Sequence, residues 1–230
     1  MMAFELAKPH LDIGLFTNRL EPMLAFWQGE VGLPFEELLP VGGGVRQHRH
    51  AANGSVVKIN HARDPLPDLP PSGYRELLIA RAGLAGPRSL TDPDGNRVTL
   101  LPPSHDGVTG IGVRVAVCDL GAFGDFYGRV FGLVAAGPHA YRCGDTVLFG
   151  EARPDAVPAG EVRAPGYRYL TVQVRDVEAA HAELVRRGAS EGRPPVTLGT
   201  TARISFVRDP DGNWIEVSQR ASLTGPLPGQ

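Results

Sequence analysis

The sequence predicts an α+β fold assembled from tandem βαβββ units, with one unit of the first half truncated. Two repeats lead to this fold class: a strand–helix segment occurs twice, 100 positions apart, and a DPDGN turn also occurs twice. At 230 residues, the chain is long enough to form two small domains, each with an apolar core.

The strand–helix repeat joins Leu20–Leu33 with Leu120–Leu133. Aromatic and aliphatic residues recur at helical spacing in both copies, and Gly32 and Gly132 stand where a left-handed turn would end the helix. An apolar run typical of a strand precedes each copy, at Ile13–Phe16 and at Val113–Val117. Each copy therefore predicts a strand followed by a helix.

The second repeat is DPDGN, at Asp92–Asn96 and Asp209–Asn213. Proline after aspartate presets the turn, and glycine supplies the positive φ that closes it, so each copy predicts a hairpin. In the second half, Tyr167–Val174 predicts another strand and Val177–Arg187 an amphipathic helix that ends at Gly188. The second half therefore holds two βαβββ units, whose sheets we expect to curve around one cavity, and the first half is expected to form a reduced version with a cavity of its own.

The first half is shorter than this plan requires. Between Arg81 and Arg88 it has only AGLAGP, where the second half has a helix and a strand between Arg175 and Arg203. Its second unit is therefore expected to keep one strand, Tyr74–Ala80, and the final hairpin. We predict a reduced first half over 10–102, a linker over 103–107, a second half over 108–220 and a loose tail over 221–230.

Composition and charge limit the classes of binding partner that the protein is expected to have. The formal charge of −2 with scattered basic residues argues against nucleic acid. The start, MMAFELAKPH, has no signal-peptide pattern and no apolar run reaches membrane-spanning length, so we expect a cytoplasmic protein with a small-molecule ligand and no membrane. A homodimer remains an open alternative.

The arrangement of strand, helix and three strands ending in a DPDGN hairpin resembles the vicinal oxygen chelate superfamily, which includes glyoxalases, extradiol dioxygenases, epimerases and bleomycin resistance proteins. The segments that carry the resemblance are DPDGNWIEVSQ at 209–219 and GYRYLTVQVRDVEAAHAELVRRGA at 166–189. The resemblance extends from about Leu11 to Arg220 and implies a glyoxalase-like fold with small-molecule cavities. It guides the reaction only loosely, because one fold can host several chemistries.

The resemblance also implies positions for metal ligands, on the first and last strands of each unit. These positions are Asp12, Lys58, Glu76 and Thr99 in the first half and Gly112, Leu148, Tyr169 and Glu216 in the second. Glu216 alone keeps the family's ligand type in the second half. Gly112 and Tyr169 stand where a ring-cleaving dioxygenase would have histidines, so that activity is a third hypothesis without its ligands.

Charged residues gather in the first half. Asp12 and Glu76 lie in apolar strands whose alternation places both on one face, and we expect them to meet Lys58 in one cavity. They are then either a buried ion-pair cluster or a functional site. The functional interpretation makes Asp12, Glu76 and Lys58 catalytic, or makes Asp12 and Glu76 ligands of one divalent ion such as Zn, Ni, Mn or Fe.

His48 and His50 invite a metal-binding interpretation, which the hairpin register opposes. Asn53-Gly54 predicts a two-residue turn that pairs His50 with Val57 and His48 with Ile59. This register places His48, His50 and His61 on the outer face of the sheet, which is the helix side. Gln47, Arg49, Lys58 and Asn60 then line the cavity. A three-residue turn would reverse these faces.

Other residues are predicted to contact a ligand. Tyr169 and Trp214 can stack on a planar molecule near Glu216, although filling the core is an equal alternative. Arg49 and Thr99 are expected to contact ligand in the first half. The first hypothesis is thus a glyoxalase-like lyase or isomerase that moves a proton next to a carbonyl, with or without a metal. The second is a metal-free protein that sequesters an aromatic or cationic compound.

Overall fold

The computed structural model describes residues 4–153 and 157–227. Strands occupy nearly half of this part of the chain. They are β1 (Leu6–Thr17), β2 (Phe35–Gly42), β3 (Val45–Ala52), β4 (Ser55–Ala62), β5 (Tyr74–Ala80), β6 (Arg88–Thr91), β7 (Arg97–Leu101), β8 (Ile111–Val117), β9 (Val134–Gly137), β10 (Ala140–Cys143), β11 (Thr146–Ala152), β12 (Gly166–Val174), β13 (Ser190–Leu198), β14 (Ala202–Arg208) and β15 (Trp214–Arg220).

Among the described residues, three α-helices each follow the first strand of a βαβββ unit, and a short fourth α-helix follows the last strand. They are α1 (Leu20–Leu24), which continues as a π-helical turn over Ala25–Glu30; α2 (Leu120–Gly124), which continues in the same way over Asp125–Val130; α3 (Val177–Arg187); and the short α4 (Ala221–Thr224). Gly32 and Gly132 have φ values of 71° and 82°, which confirms the predicted left-handed turns after the repeated helices.

The strands form two sheets, and each sheet combines two units. Unit 1 (β1 to β4) and unit 4 (β12 to β15) form an eight-stranded sheet in the order β13-β14-β15-β12-β1-β4-β3-β2. Unit 2 (β5 to β7) and unit 3 (β8 to β11) form a seven-stranded sheet in the order β6-β7-β5-β8-β11-β10-β9. The α+β fold of repeated units is thereby confirmed.

The prediction that each half of the chain builds its own cavity is wrong. The units of one half lie in different sheets, since β1 pairs antiparallel with β12 and β5 pairs antiparallel with β8. In every unit the first and last strands pair in parallel, so the other edge of the first strand stays open for another unit. Units 2 and 3, which are neighbours in sequence, pair there, and units 1 and 4 pair with each other.

The second unit is truncated as predicted. Strand β5 ends at Ala80, and the chain reaches β6 at Arg88 without a helix or a strand between them. Strand β6 has only four residues, whereas its counterpart in unit 4, β14, has seven and is covered by β13. The seven-stranded sheet therefore extends less far around this end than the eight-stranded sheet.

Both DPDGN turns form the predicted hairpins, β6–β7 and β14–β15. In each turn an aspartate organises the backbone: Asp92 Oδ1 accepts from the N–H groups of Asp94 and Asn96. Asp209 Oδ1 accepts in the same way from Asp211 and Asn213. The repeated pentapeptide is thus a structural motif.

One apolar core joins the sheets and the helices. It contains the odd-numbered residues Ile13, Leu15, Val57 and Ile59 of the eight-stranded sheet and Leu77, Ile79, Val113 and Val115 of the seven-stranded sheet, with Phe26, Trp27, Phe126 and Tyr127 of the helices. Because successive strand residues alternate in direction, the neighbours of these core residues along each strand lie on the opposite face of each sheet. We call that face of each sheet its open face.

The C-terminal segment differs from the predicted loose tail. Residues 221–224 form α4, which contacts β15 and β1, and Leu227 is 2% exposed. The rest of the predicted tail, 228–230, lies outside the described residues. Within the described chain, no helix combines the length and apolar character needed to cross a bilayer.

Candidate functional site

The main cavity lies on the open face of the eight-stranded sheet and has a volume of about 470 Å³. Residues from units 1 and 4 line it together. Its apolar lining includes Phe16, Leu39, Val41, Val45, Val162, Val196, Leu198, Ile204 and Phe206, and its polar lining includes Gln47, Arg49, Lys58, Asn60, Arg163, Tyr169, Arg193, Glu216, Ser218 and Arg220. Apolar walls with a few polar groups are typical of small-molecule sites.

The turn between β3 and β4 sets which side chains face this cavity. Asn53 and Gly54 both have positive φ, 52° and 87°, as a two-residue hairpin turn requires. The register pairs Arg49 with Lys58 and Gln47 with Asn60, as predicted, and all four side chains line the cavity. The predicted face assignment is confirmed.

The histidines lie on the helix side, also as predicted. His50 Nε2 is 3.0 Å from Gln28 Nε2 of the first helix, and the Phe35 ring packs against both His48 and His50. Burial lowers the pKa of His50 to about 4 and also lowers the pKa of His48. Both imidazoles are neutral at pH 7 and face away from the cavity.

Lys58 and Glu216 form an ion pair across the two units. Lys58 Nζ lies 3.2 Å from Glu216 Oε2 and donates to Thr171 Oγ1 at 2.7 Å, while the Thr171 hydroxyl donates to the same Glu216 oxygen. Lys58 is 2% exposed, and burial lowers its pKa, against which the carboxylates of Glu216 and Asp12 act. Lys58 and Glu216 thus form a hydrogen-bonded ion pair in the cavity lining.

Tyr169 lies beside this pair, and its hydroxyl group belongs to a hydrogen-bond network in which each donor and acceptor can be assigned. Its hydroxyl oxygen accepts from Gln47 Nε2 at 3.3 Å and from Asn60 Nδ2 at 3.1 Å. Asn60 Nδ2 also donates to the Leu15 carbonyl, which fixes the orientation of that amide. Burial, followed by the charge of Glu216, raises the pKa of Tyr169, so the phenol stays protonated and can donate a hydrogen bond to a ligand.

Tyr169 fits only because its neighbour on β1 is a glycine. Gly14 pairs with Tyr169 in the β1–β12 ladder, and a Cβ added at Gly14 would lie 2.2 Å from the tyrosine ring. The ring therefore lies directly over the junction of units 1 and 4.

Asp12 lies at a second, smaller cavity of about 230 Å³. Its Oδ1 accepts from Lys8 Nζ at 2.7 Å and from the Val56 N–H at 2.9 Å, and its Oδ2 accepts from Gln173 at 3.2 Å. Burial acts to raise the pKa of Asp12, but Lys8 and Lys58 together hold it below its usual value. Asp12 is therefore a charged and fully hydrogen-bonded carboxylate.

Glu76 does not join Asp12 and Lys58, and the predicted meeting of these three residues is wrong. Glu76 lies on the seven-stranded sheet, where it accepts from Thr99 Oγ1 at 2.7 Å and pairs with Arg114 at 3.2 Å and Arg97 at 3.6 Å. The alternation within each strand was predicted correctly. The error was to place β5 in the same sheet as β1.

The two other predicted ligand contacts have structural partners. Thr99 binds Glu76 and Ser89 on the seven-stranded sheet. Trp214 donates from Nε1 to the Gly160 carbonyl, and its ring packs against Phe206 and the Arg208 guanidinium, 3.8 Å from the ring centroid. Trp214 thus supports Phe206, which itself lines the cavity.

The residues present do not fit a divalent metal ion. In the eight-stranded sheet, the metal positions implied by the resemblance hold Asp12, Lys58, Tyr169 and Glu216, and the Lys58 ammonium already binds Glu216. In the seven-stranded sheet, Glu76 is the single carboxylate at these positions. Across 4–153 and 157–227, no three His, Cys, Asp or Glu side chains come together as a metal site. Asp12 and Glu76, the predicted ligand pair, lie on different sheets.

Sequence reasoning missed the partners that unit 4 supplies. Thr171 and Gln173 reach Lys58 and Asp12 from β12, and Arg220 at the end of β15 lines both cavities. Alternation along β12 and β15 places these residues on the same face as Tyr169 and Glu216, but only the pairing of units 1 and 4 connects them to β3 and β4.

Comparison with known proteins finds a matching family model and solved structures of similar fold. The family model of the Glyoxalase/Bleomycin resistance protein/Dioxygenase superfamily matches residues 111–217. Glyoxalase I from Zea mays superposes with a TM-score of 0.70 at 14% identity, covering 91% of this chain and 92% of that protein. A putative dioxygenase from Bacillus subtilis subsp. subtilis str. 168 superposes with a TM-score of 0.68 at 12% identity, covering 94% of this chain and 86% of that one.

At these identities the superpositions show a shared fold and leave the reaction open. A search of curated protein sequences finds no match. The matched segment contains unit 3 and almost all of unit 4, and the structure shows that units 1 and 2 repeat the same plan. Residues 111–217 therefore match the Glyoxalase/Bleomycin resistance protein/Dioxygenase superfamily, and the described chain as a whole shares the fold of glyoxalase I.

Proposed function

We propose that the protein binds a small organic molecule in the main cavity and does so without a metal ion. The observation that carries the proposal is the Lys58–Glu216 pair, which supplies a fixed ammonium group in a cavity of about 470 Å³ with apolar walls. Lys58 and the Tyr169 hydroxyl are the donors that would orient an oxygen atom of the ligand.

Electrostatics argue against a metal ion at Glu216. A divalent cation on this carboxylate would lie within a few ångströms of the Lys58 ammonium in a site of low dielectric, where like charges repel strongly. Lys58 would have to move or lose its proton before the metal could bind. The Lys58 ammonium group thus occupies the position beside Glu216 that a metal cation would need.

The lining also indicates the charge of the ligand. The described residues place five basic side chains around the main cavity, Arg49, Lys58, Arg163, Arg193 and Arg220, against one acid, Glu216. A positive lining disfavours a cation and favours a neutral or anionic molecule. Of the aromatic and cationic ligands considered from sequence, the aromatic class is the one that we retain.

A cavity-filling variant tests this proposal. Neutral N-phenyl-1-naphthylamine is titrated by fluorescence into the parent, Ile204→Trp and Val134→Trp, each before and after dialysis against EDTA. We expect the parent and the control Val134→Trp, altered at an exposed position of β9, to bind equally well with and without EDTA. Ile204→Trp should bind at least about tenfold more weakly, because the new indole fills the cavity.

Two results would contradict the proposal. Probe binding that disappears with EDTA and returns with Zn²⁺, Ni²⁺, Mn²⁺ or Fe²⁺ would require a metal. Equal binding by the parent and Ile204→Trp would place the probe outside the cavity.

The same residues favour a second candidate, an isomerase or lyase that transfers a proton next to a carbonyl. Glu216 would take a proton from the carbon beside the carbonyl group, and the C–H electron pair would move into the C–C bond to form an enolate. Lys58 and Tyr169 would donate hydrogen bonds to the enolate oxygen. With an α-hydroxy ketone, the hydroxyl proton would move to the enolate oxygen, and the Glu216 carboxylic acid would then protonate the former carbonyl carbon as the new C=O bond forms, which gives the isomeric aldehyde.

Isotope exchange tests this candidate. Hydroxyacetone in D₂O is followed by NMR with the parent, Glu216→Gln and the control Glu151→Gln, whose carboxylate pairs with Arg114 on the other sheet. A proton-transfer enzyme loses the C–H signal with the parent and the control and keeps it with Glu216→Gln. If deuterium exchange proceeds at the buffer rate with all three proteins, the protein does not transfer a proton on this ketone. Ligand binding then stays the supported function.

A further inference from the structure

Two arginines stand between the two cavities. Arg49 of β3 and Arg220 of β15 line both the main cavity and the smaller cavity beside Asp12. Arg49 is 6% exposed, and the Arg220 side chain is 11% exposed. They come from units 1 and 4, so this arginine pair exists only because those units share a sheet.

The arginine pair is incompletely satisfied. Glu37 Oε2 lies 3.0 Å from Arg220 Nη2 and 3.7 Å from Arg49 Nε, and Arg49 Nη1 donates to Gln47 Oε1. Arg220 Nε is buried and has no hydrogen-bond partner in the described chain. A guanidinium binds a carboxylate best side-on through Nε and one Nη, and Glu37 uses only the Nη.

The charges around the pair leave room for one anion. Within the described chain, Arg49 and Arg220 both pair with the single carboxylate of Glu37, which leaves one positive charge of the arginine pair without a counter-ion of its own. An uncompensated charge in a partly buried site is costly unless an anion joins it.

Glu37 is well placed to give way. It lies on β2, the edge strand of the sheet, and its side chain is 44% exposed. The register of β2 against β3 shifts between Phe35 and Glu37, so the ladder is irregular at this point. Its carboxylate can rotate into solvent when another acceptor reaches the arginines.

We propose that the ligand of the main cavity carries a carboxylate, which replaces Glu37 on Arg220 side-on and also contacts Arg49. This inference rests on the proposed function and adds the chemical class of the ligand, an apolar or aromatic carboxylate. Its body lies against the cavity wall at Val196, Ile204 and Phe206, and its acid group satisfies Arg220 Nε.

A matched ligand pair tests the inference. Naphthalene-2-carboxylate and the neutral naphthalene-2-carboxamide are titrated into the full chain by calorimetry. We expect the parent to bind the acid at least about tenfold more tightly than the amide. Arg220→Gln should remove this preference and leave the amide affinity within about threefold. Glu37→Gln should tighten acid binding, because it removes the competing carboxylate.

Two further variants separate the subsite from folding. Arg203→Gln is the control, since Arg203 lies on the neighbouring strand β14 but pairs with Glu178 on the helix side, and the acid preference should persist. Arg220→Lys keeps the charge without the side-on donor pair, and an intermediate preference is expected. Melting temperatures of all variants show whether each is folded, and Arg220→Lys replaces Arg220→Gln if the latter is not.

The outcomes distinguish this inference from the proposed function. Equal affinity of the parent for acid and amide, or an acid preference that survives in Arg220→Gln, would overturn the carboxylate subsite and leave the cavity a binding site. Failure of both naphthalene compounds to bind would overturn the subsite and the proposed binding function together.

Discussion

The open faces of the two sheets carry buried charge in different ways. On the eight-stranded sheet, Lys58 and Glu216 line a cavity of about 470 Å³. On the seven-stranded sheet, Glu76 is held by Thr99 and by Arg97 and Arg114, and Arg114 also pairs with Glu151 at 2.9 Å and packs over Phe149.

The completeness of the units explains this difference. Unit 4 contributes α3 and the nine-residue β13, and β13 residues Arg193, Val196 and Leu198 form part of the cavity wall. The truncated unit 2 has no counterpart of these elements. The same repeated plan therefore gives a cavity with apolar walls in one sheet and an ion-pair cluster in the other.

The largest expected effect compares Glu216→Gln with Glu76→Gln. Glu216→Gln leaves the Lys58 ammonium buried without its counter-charge and should cost about 3 kcal/mol at pH 7. Glu76→Gln should cost about 1 kcal/mol or less, because the Arg97 and Arg114 side chains are 65% and 33% exposed and can turn to water. Urea denaturation measures both. Equal losses would remove the distinction between the two faces.

The aspartates of the two DPDGN turns should both make stability depend on pH. Burial raises the pKa of Asp209 to about 6 and raises that of Asp92 as well. A raised pKa favours the native state below the unfolded value near 4, and this stability is lost as the pH rises to about 6. The contribution of Asp209 is about 3 kcal/mol over this window.

Asp209→Asn should therefore remove that decrease, so that its free energy of unfolding falls less, or rises more, than that of the parent between about pH 4 and 6. Unfolding by urea at several pH values measures the slope, and Asp92→Asn serves as the matched variant of the other sheet. A slope unchanged in Asp209→Asn would contradict the raised pKa.

Much of the local structure could be predicted because it depends on short-range rules. The Asn53-Gly54 turn fixed the β3–β4 register, and that register correctly placed Arg49 and Lys58 in the cavity and His50 on the helix side. Alternation likewise placed Asp12 and Glu76 on the open faces of their strands.

The pairing of units could not be predicted in this way. Every first strand offers a similar open edge, so local pattern does not decide whether β1 pairs with β5 or with β12. The site depends on that choice, because Thr171, Glu216 and Arg220 all come from unit 4. The predicted Asp12–Glu76 site failed for this reason.

A smaller effect is expected when a Cβ is added on each open face. Gly14→Ala would drive a methyl group into the Tyr169 ring and should cost about 2 kcal/mol while weakening ligand binding. At Gly112 on the seven-stranded sheet, the nearest atoms lie 3.1 Å away in the side chains of Phe149 and Val108, which can shift. Gly112→Ala should therefore cost less and leave binding unchanged. Thermal melts and probe titrations measure both.

The smallest effect is expected on the helix side. The double change His48→Ala and His50→Ala removes the Gln28 contact and the packing of Phe35, and should cost about 1 kcal/mol at pH 7. His50, with its pKa lowered to about 4, contributes stability above its unfolded pKa that is lost as the pH falls. Ligand affinity and elemental metal content should match the parent. Loss of stoichiometric metal would contradict the register.

The central claim is that ligand binds on the eight-stranded sheet without metal. Diffraction from crystals soaked in naphthalene-2-carboxylate and Mn²⁺, measured with anomalous scattering from manganese, tests it directly. We expect ligand density in the main cavity beside Lys58, Tyr169 and Arg220 and no anomalous peak at Glu216. An anomalous peak coordinated by Glu216 or Glu76, or ligand on the seven-stranded sheet instead, would contradict the claim.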